Sequence, residues 1–589
     1  MIAATQTSAS VLDVTASDER SHDFSHDFSH ERSHERGYDF DRYLRYAELT
    51  AWLDALAAAH SDLVTVESYG RSHEGRELWL ATVTDSSTGA HHTKPAHWVD
   101  ANIHSVEVTA GVAALWMLQR LVQGFGTDET IARAVQTRTF YVVPRVNPDG
   151  VEWALADSPK LRRSSTRPWP WRDAHAAPGL HERDIDGDGA VKLMRIVDPN
   201  GAWVSSTADA RLLAPAPMDG SGDDVTRYRV MREGEIVDHD GFTIPTPLPP
   251  EGLDMNRNFP AGWGTGVTGS GDHPLSEPEI DALVRAIAAR PNVCGYNAFH
   301  TSGGVILRPS STVADSALPP MDVHIWKQLG ERGTALTGYP VHSVFEDFTW
   351  DRKVTMSGAA DDWAYEHLGV YGWTTEFWDP VFAATGVKQG CHTWYTGPTE
   401  AEELAVLQWS DEQGHDLYAP WTPFDHPQLG NVEIGGWDAL TGWNNPPPSL
   451  LAAEIRGHAD FAVLQALAAP CLEVLHSAAT AIGDSTWRVE VGVANTGYLP
   501  TYISDRARTD RLVRPIVATL TGAAVIDGPS RRELGQLAGR SDAMFRGHND
   551  GTPDRVLATW LVQGHQGATV TVDVAHQRAG SVSTAIILT

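Results

Sequence analysis

From Tyr38 onward, apolar positions switch between a helical and a strand-like period. A helical pattern over residues 43–56 precedes two apolar triplets, Val64-Thr65-Val66 and Leu78-Trp79-Leu80, which flank the turn Glu74-Gly75-Arg76 and predict a strand pair. The nearly continuous apolar runs at 98–103 and 137–143 predict buried strands, and residues 108–122 between them predict a helix apolar on one side. Further on, Ser276-Glu277-Pro278-Glu279 reads as a capping box with proline in the first turn of a helix running to about residue 290. Residues 292–299 and 370–378 then read as strands. This alternation predicts an α/β fold, a mixed twisted sheet with helices on both faces.

Three stretches break the pattern. Residues 1–37 form a polar low-complexity tail in which His22, His26, His30 and His34 recur every four positions, and such a tail is expected to be disordered. Between about 173 and 250 Gly, Pro and Asp become frequent and periodicity stops, which reads as an insertion. The run Asn444-Asn445-Pro446-Pro447-Pro448 reads as a stiff connector into a helix over 450–467. From Trp487 short β-rich runs alternate with turn signals, predicting a β-sandwich accessory domain over 471–589 behind a catalytic-type domain over 38–470.

Composition narrows the function classes. The 589 residues are 42% hydrophobic, enough for a sizeable core, and a net charge of −31 argues against nucleic acid or an anionic membrane as partner. Three cysteines, Cys294, Cys391 and Cys471, are too few and scattered for a disulfide framework. Neither a signal-peptide pattern nor a membrane-length apolar run is present, so a soluble, cytoplasmic protein is expected, its oligomeric state left open.

Candidate chemistry begins where the run at 98–103 ends. His104 and Glu107 put an imidazole nitrogen and a carboxylate three residues apart at a strand end, a pair that can share one ion with a third ligand from elsewhere. Five other segments follow in order: Asn147-Pro148-Asp149-Gly150, Asn256-Arg257-Asn258-Phe259, Ser276-Glu277-Pro278-Glu279, Phe299-His300-Thr301, and Ser357-Gly358 through Asp361-Asp362-Trp363-Ala364-Tyr365 to Thr375-Glu376. Together the six resemble the zinc metallocarboxypeptidases of the carboxypeptidase A and B family, over about residues 38–470.

The resemblance implies a zinc ion on His104, Glu107 and His300, with Glu376 as general base and then general acid. It implies that Asn256 and Arg257 grip a peptide's terminal carboxylate, that Asp254 orients a ligand histidine, and that Arg162 or Arg163 stabilises the oxyanion. The expected activity is removal of the C-terminal residue of a peptide. A zinc amidase on cell-wall peptides or other unusual amide bonds is the enzymatic alternative, and an inactive peptidase-like binding protein the non-enzymatic one.

Two positions depart from or qualify the pattern. Val354 stands where the family has a substrate-covering tyrosine. Asp361 falls at the family's specificity position, where a carboxylate suits a basic terminal side chain, although Asp361-Asp362 also reads as a helix cap. Within the insertion, Asp184, Asp186 and Asp188 resemble the first half of a calcium loop, but Arg195 occupies the position of its closing glutamate, and an Asp-Gly turn is the competing reading.

Overall fold

The computed structural model describes residues 38–170, 177–218, 225–349, 351, 353, 355–388, 390, 396–545 and 550–589. The histidine repeat and Val354 lie outside them. The chain divides into Met1–Asp39 and Phe40–Thr589, and every element below belongs to the second unit.

Eight strands form the main sheet: β1 (Val64–Arg71), β2 (Glu77–Val83), β3 (Ala96–Ala101), β4 (Thr139–Val143), β5 (Val293–Thr301), β6 (Val305–Arg308), β7 (Val341–Ser343) and β8 (Tyr371–Phe377). Their order is β1-β2-β4-β3-β5-β8-β6-β7. The four central strands β4, β3, β5 and β8 are mutually parallel; β1–β2, β2–β4 and β8–β6 are antiparallel, and the edge strand β7 runs parallel to β6. Parallel central strands are covered on both sides, which is why β3, β4 and β5 are buried at every position.

Alternation along β5 separates the two faces. Tyr296 and Ala298 join a core with Trp98, Ile280 and Leu283, the last two from the helix Pro278–Ala288. Asn297 lies between them and pairs in register with Trp373, whose ring meets Phe461 of the helix Leu451–Ala468. Helices therefore cover both faces, as the periodicity predicts.

Two local features differ from the sequence expectation. The helix at 278 starts without the capping box: Ser276 Oγ accepts from Asn258 Nδ2 (3.0 Å) and donates to Glu277 (2.8 Å), and buried Glu277 pairs with Arg167 (2.7 Å). Tertiary partners outcompete the local cap. The insertion is also more regular than its composition suggests. Its strands Leu193–Val197, Trp203–Ser205, Leu213–Pro215 and Arg227–Arg232 join Tyr418–His426 and Gly430–Trp437 in a six-stranded antiparallel sheet. Such short strands give little periodic signal, and partners some 200 positions away give none.

Toward the C-terminus two four-stranded sheets enclose one core containing Trp487, Val491, Ile516, Trp560 and Val572. This part is bound to the main sheet's surroundings through Asp322, a buried carboxylate that accepts from Asp505 N (2.7 Å), Arg506 N (3.0 Å) and the hydroxyls of Tyr365 and Tyr371. Among the described residues no helix is long and apolar enough to cross a membrane.

Buried neutral histidines make the fold acid-sensitive. Burial pushes His97, whose Nε2 lies 2.7 Å from Asn297, and His576 each down to about 4 from an ordinary 6.5. As pH falls from 6.5 toward 4 the unfolded chain takes up protons that these rings refuse, so stability declines over that window, by roughly 3 kcal/mol for His97 alone. The thermal midpoint should drop between pH 7 and 4.5, and less steeply in H97Q; a midpoint flat over that range contradicts this account.

Candidate metal centre and substrate cavity

Because β3, β5 and β8 run parallel, their C-terminal ends open on one edge of the sheet, where α/β sites form. His104 lies just past β3, while His300 on β5 pairs in register with Glu376 on β8. Glu107 is the N-cap residue of the helix Val108–Gly124. That helix can approach closely only because position 111 is glycine, where a Cβ would lie 2.3 Å from Asn102 Oδ1. Asn102 in turn donates to Glu107 O (2.5 Å), holding the helix start against the turn that carries His104.

The three side chains converge. His104 Nδ1 is 2.8 Å from one Glu107 oxygen, and His300 Nδ1 is 2.9 Å from the other and 3.2 Å from His104 Nδ1. One donor atom from each lies within 4.8 Å of the others. On its far side His104 Nε2 meets Asp254 at 3.0 Å, so with its proton held there the ring presents the Nδ1 lone pair inward. Two nitrogen donors and a carboxylate, buried and pre-oriented, fit the preference of zinc for such a set with one position open.

Electrostatics hold this arrangement ionised. Burial alone would raise the Glu107 carboxyl, but the imidazoles of His104 and His300 outweigh it and keep it well below the usual carboxylate range. Asp254 is likewise held low against burial by Arg163 and His104. Glu376 behaves oppositely. Burial pushes it up to about 8, with His300 opposing and the negative charge of Glu107 adding to the rise.

The structure separates the two adjacent arginines. Arg162 turns away to Glu251 (2.7 Å), whereas Arg163 reaches Asp254 (2.8 Å) and lies 3.9 Å from Glu107. Their backbone is stitched to the His104 turn by Ser105 N to Arg163 O (2.8 Å) and Ser164 Oγ to Ile103 O (3.1 Å). Asn147, first residue of the Asn-Pro-Asp-Gly segment, braces the same point by donating to Ser164 O (2.7 Å).

A cavity of about 800 Å³ opens over the cluster and is lined by Arg163, Asn256, Arg257, Asp361 and Glu376 besides His104 and Glu107. Asn256 Oδ1 accepts from Ala360 N (2.9 Å), joining its segment to the short helix Ala360–Trp363 that carries Asp361. Arg257 donates to Asn256 O (2.6 Å) and, among the described residues, makes no ion pair within 4 Å, so its charge is available to a ligand. Asp361 is buried and raised by that burial; beside it Asp362 accepts from Ser311 N (3.1 Å). Sequence reasoning missed the part of the rim formed by Gly266-Val267-Thr268, although the glycine-rich stretch after Phe259 was a visible sign of a loop.

The carboxylates of the candidate calcium loop are engaged within the protein. The Asp186 and Asp188 carboxylates both grip the Lys192 ammonium, and Asp184 accepts from Gly187 N (2.7 Å) and Gly189 N (2.9 Å). A lysine supplies positive charge and backbone N–H groups occupy other acceptors, so calcium is not supported, although Asp184, Asp186 and Glu233 bring carboxylate oxygens within 4.8 Å of one another.

A model of the zinc carboxypeptidase family matches residues 49–386, more than half of the chain. A second, described only as a domain of unknown function, matches residues 471–587. Among curated proteins, carboxypeptidase A5 of Macaca fascicularis is 21% identical over 353 residues, which cover 58% of this chain and 61% of that protein. Carboxypeptidase B of Astacus astacus is 33% identical over 126 residues, 21% of this chain and 39% of its own. The chain thus matches less than two thirds of the length of either relative. Carboxypeptidase A from Helicoverpa armigera, a solved structure, aligns with a TM-score of 0.36 at 18% identity over 63% of this chain and 74% of that one.

Proposed function

The chain belongs to the zinc carboxypeptidase family, and on that premise we propose that it hydrolyses the C-terminal peptide bond of peptides, with His104, Glu107 and His300 as zinc ligands. The observation that carries this reading is the meeting, in one cavity, of a three-donor cluster, a half-buried carboxylate at Glu376 and the guanidinium of Arg257, which has no ion pair among the described residues. A zinc ion bound there would acidify water and polarise the scissile carbonyl.

The protein's own groups divide the remaining work. Arg257 binds the terminal carboxylate through paired hydrogen bonds, with Asn256 beside it, which makes the enzyme an exopeptidase. Glu376 takes a proton from the attacking water and delivers it to the departing amine. Arg163, rather than Arg162, faces the cavity and stabilises the oxyanion. Asp361 at the cavity wall favours a basic terminal side chain. Retention of every ligand and of Glu376 speaks against an inactive binding protein.

The direct test offers the zinc-loaded protein a mixed peptide library followed by mass spectrometry. Loss of single C-terminal residues is expected, with C-terminally amidated peptides left intact; cleavage confined to internal or cell-wall amide bonds would overturn the reading. Replacing Arg257 with lysine keeps the charge but loses the planar fork, and should lower kcat/KM by about 10- to 100-fold on peptides with a free carboxylate.

A further inference from the structure

Beside the catalytic cavity lies a second, of about 920 Å³, and the two share Arg163, Arg257 and the loop Gly266-Val267-Thr268. Much of its wall is contributed by the insertion, through Leu180 and residues 246–249, facing Leu161 and Trp169. The charged groups bordering it are largely engaged within the protein. Glu251 accepts from Lys160 (2.8 Å) and Arg162 (2.7 Å), and Asp254 from His104 and Arg163. What is left to meet a ligand is mainly apolar, including Trp169, Pro247, Pro249 and Leu248, the last 87% exposed. An exposed leucine among prolines and a tryptophan, next to a reaction site, is apolar surface awaiting an occupant.

We propose that this second cavity binds the acyl side of the peptide substrate, the residues upstream of the scissile bond, and selects large apolar side chains there. The proposal rests on the hydrolytic reading above. A peptide whose terminal carboxylate lies on Arg257 and whose scissile carbonyl lies at the His104 cluster has to continue past Arg163, where the cavities join. The guanidinium there, 55% exposed, can donate to the peptide's backbone carbonyls, while the insertion contacts the side chains. The insertion thereby becomes a specificity element of the enzyme.

The test is a peptide series with one fixed C-terminal pair and Phe, Leu, Gly or Asp two or three positions upstream of the scissile bond. The wild type should prefer Phe and Leu over Gly by about 10- to 100-fold in kcat/KM, mainly through KM. L248D and W169A should each shrink that preference; Leu248 is exposed enough that its replacement does not endanger folding. Equal kcat/KM across the series, or a preference untouched by both variants, overturns the proposal. Calorimetric titration of the same peptides into zinc-loaded E376Q reads the ranking without turnover. If the wild type hydrolyses none of them, the proposed reaction fails, while the binding ranking still decides what the cavity selects.

Discussion

Replacement of Glu376 by glutamine is expected to lower kcat on the order of 10³-fold while leaving KM, zinc content and thermal midpoint close to wild type. The substitution keeps shape and removes only the capacity to take up and return a proton. Glu376 is half-buried near the end of β8, and desolvation there already pushes its carboxyl up to about 8, so a neutral amide should cost the fold little. The pairing of β8 with β5 stays intact because Glu376 contributes to it through backbone. Steady-state kinetics beside metal analysis of the same preparation make the check. Turnover within tenfold of wild type would remove Glu376 from the reaction, and loss of zinc together with activity would assign it to metal binding instead.

The candidate site was largely legible because its residue types are rare in combination and sit where strands end. His104 and Glu107 could be paired from residue type and spacing, whereas His300 and Glu376 came only with the resemblance carried by six ordered segments; parallel pairing of β3, β5 and β8 is what brings their strand ends together. Arg162 and Arg163 could not be separated, since one-residue spacing carries no direction; the partners Glu251 and Asp254, some ninety positions away, decide which guanidinium faces the cavity. The same limit explains the insertion. Strands of three to six residues there are stabilised by the pair at 418–437, which no local pattern announces. At Asp184 two readings stayed open for a different reason: alternating carboxylates are common to calcium loops and Asp-Gly turns, and Lys192, whose ammonium Asp186 and Asp188 grip, lies beyond the motif though near it in sequence.

Removal of the metal, by chelation or by replacing His300 with alanine, should abolish hydrolysis, and only the first loss should be reversed by added zinc. The cluster is built to be completed by a cation. Two imidazole nitrogens 3.2 Å apart face one carboxylate, and Glu107 is kept ionised between them. Without His300 two donors remain, too few for the three-ligand set that holds a catalytic zinc and keeps one position open. Because the ligand binds the folded chain, zinc should raise the thermal midpoint of the wild type and leave that of H300A unmoved, a readout independent of turnover. Asp254 supplies the graded version. In D254N the His104 Nε2 proton loses its charged acceptor, and zinc affinity should fall about 10- to 100-fold with ligands unchanged. Hydrolysis that persists at undetectable zinc, or a midpoint in H300A that still rises with zinc, would mean that the ion sits elsewhere and that this cluster is held together by its own hydrogen bonds.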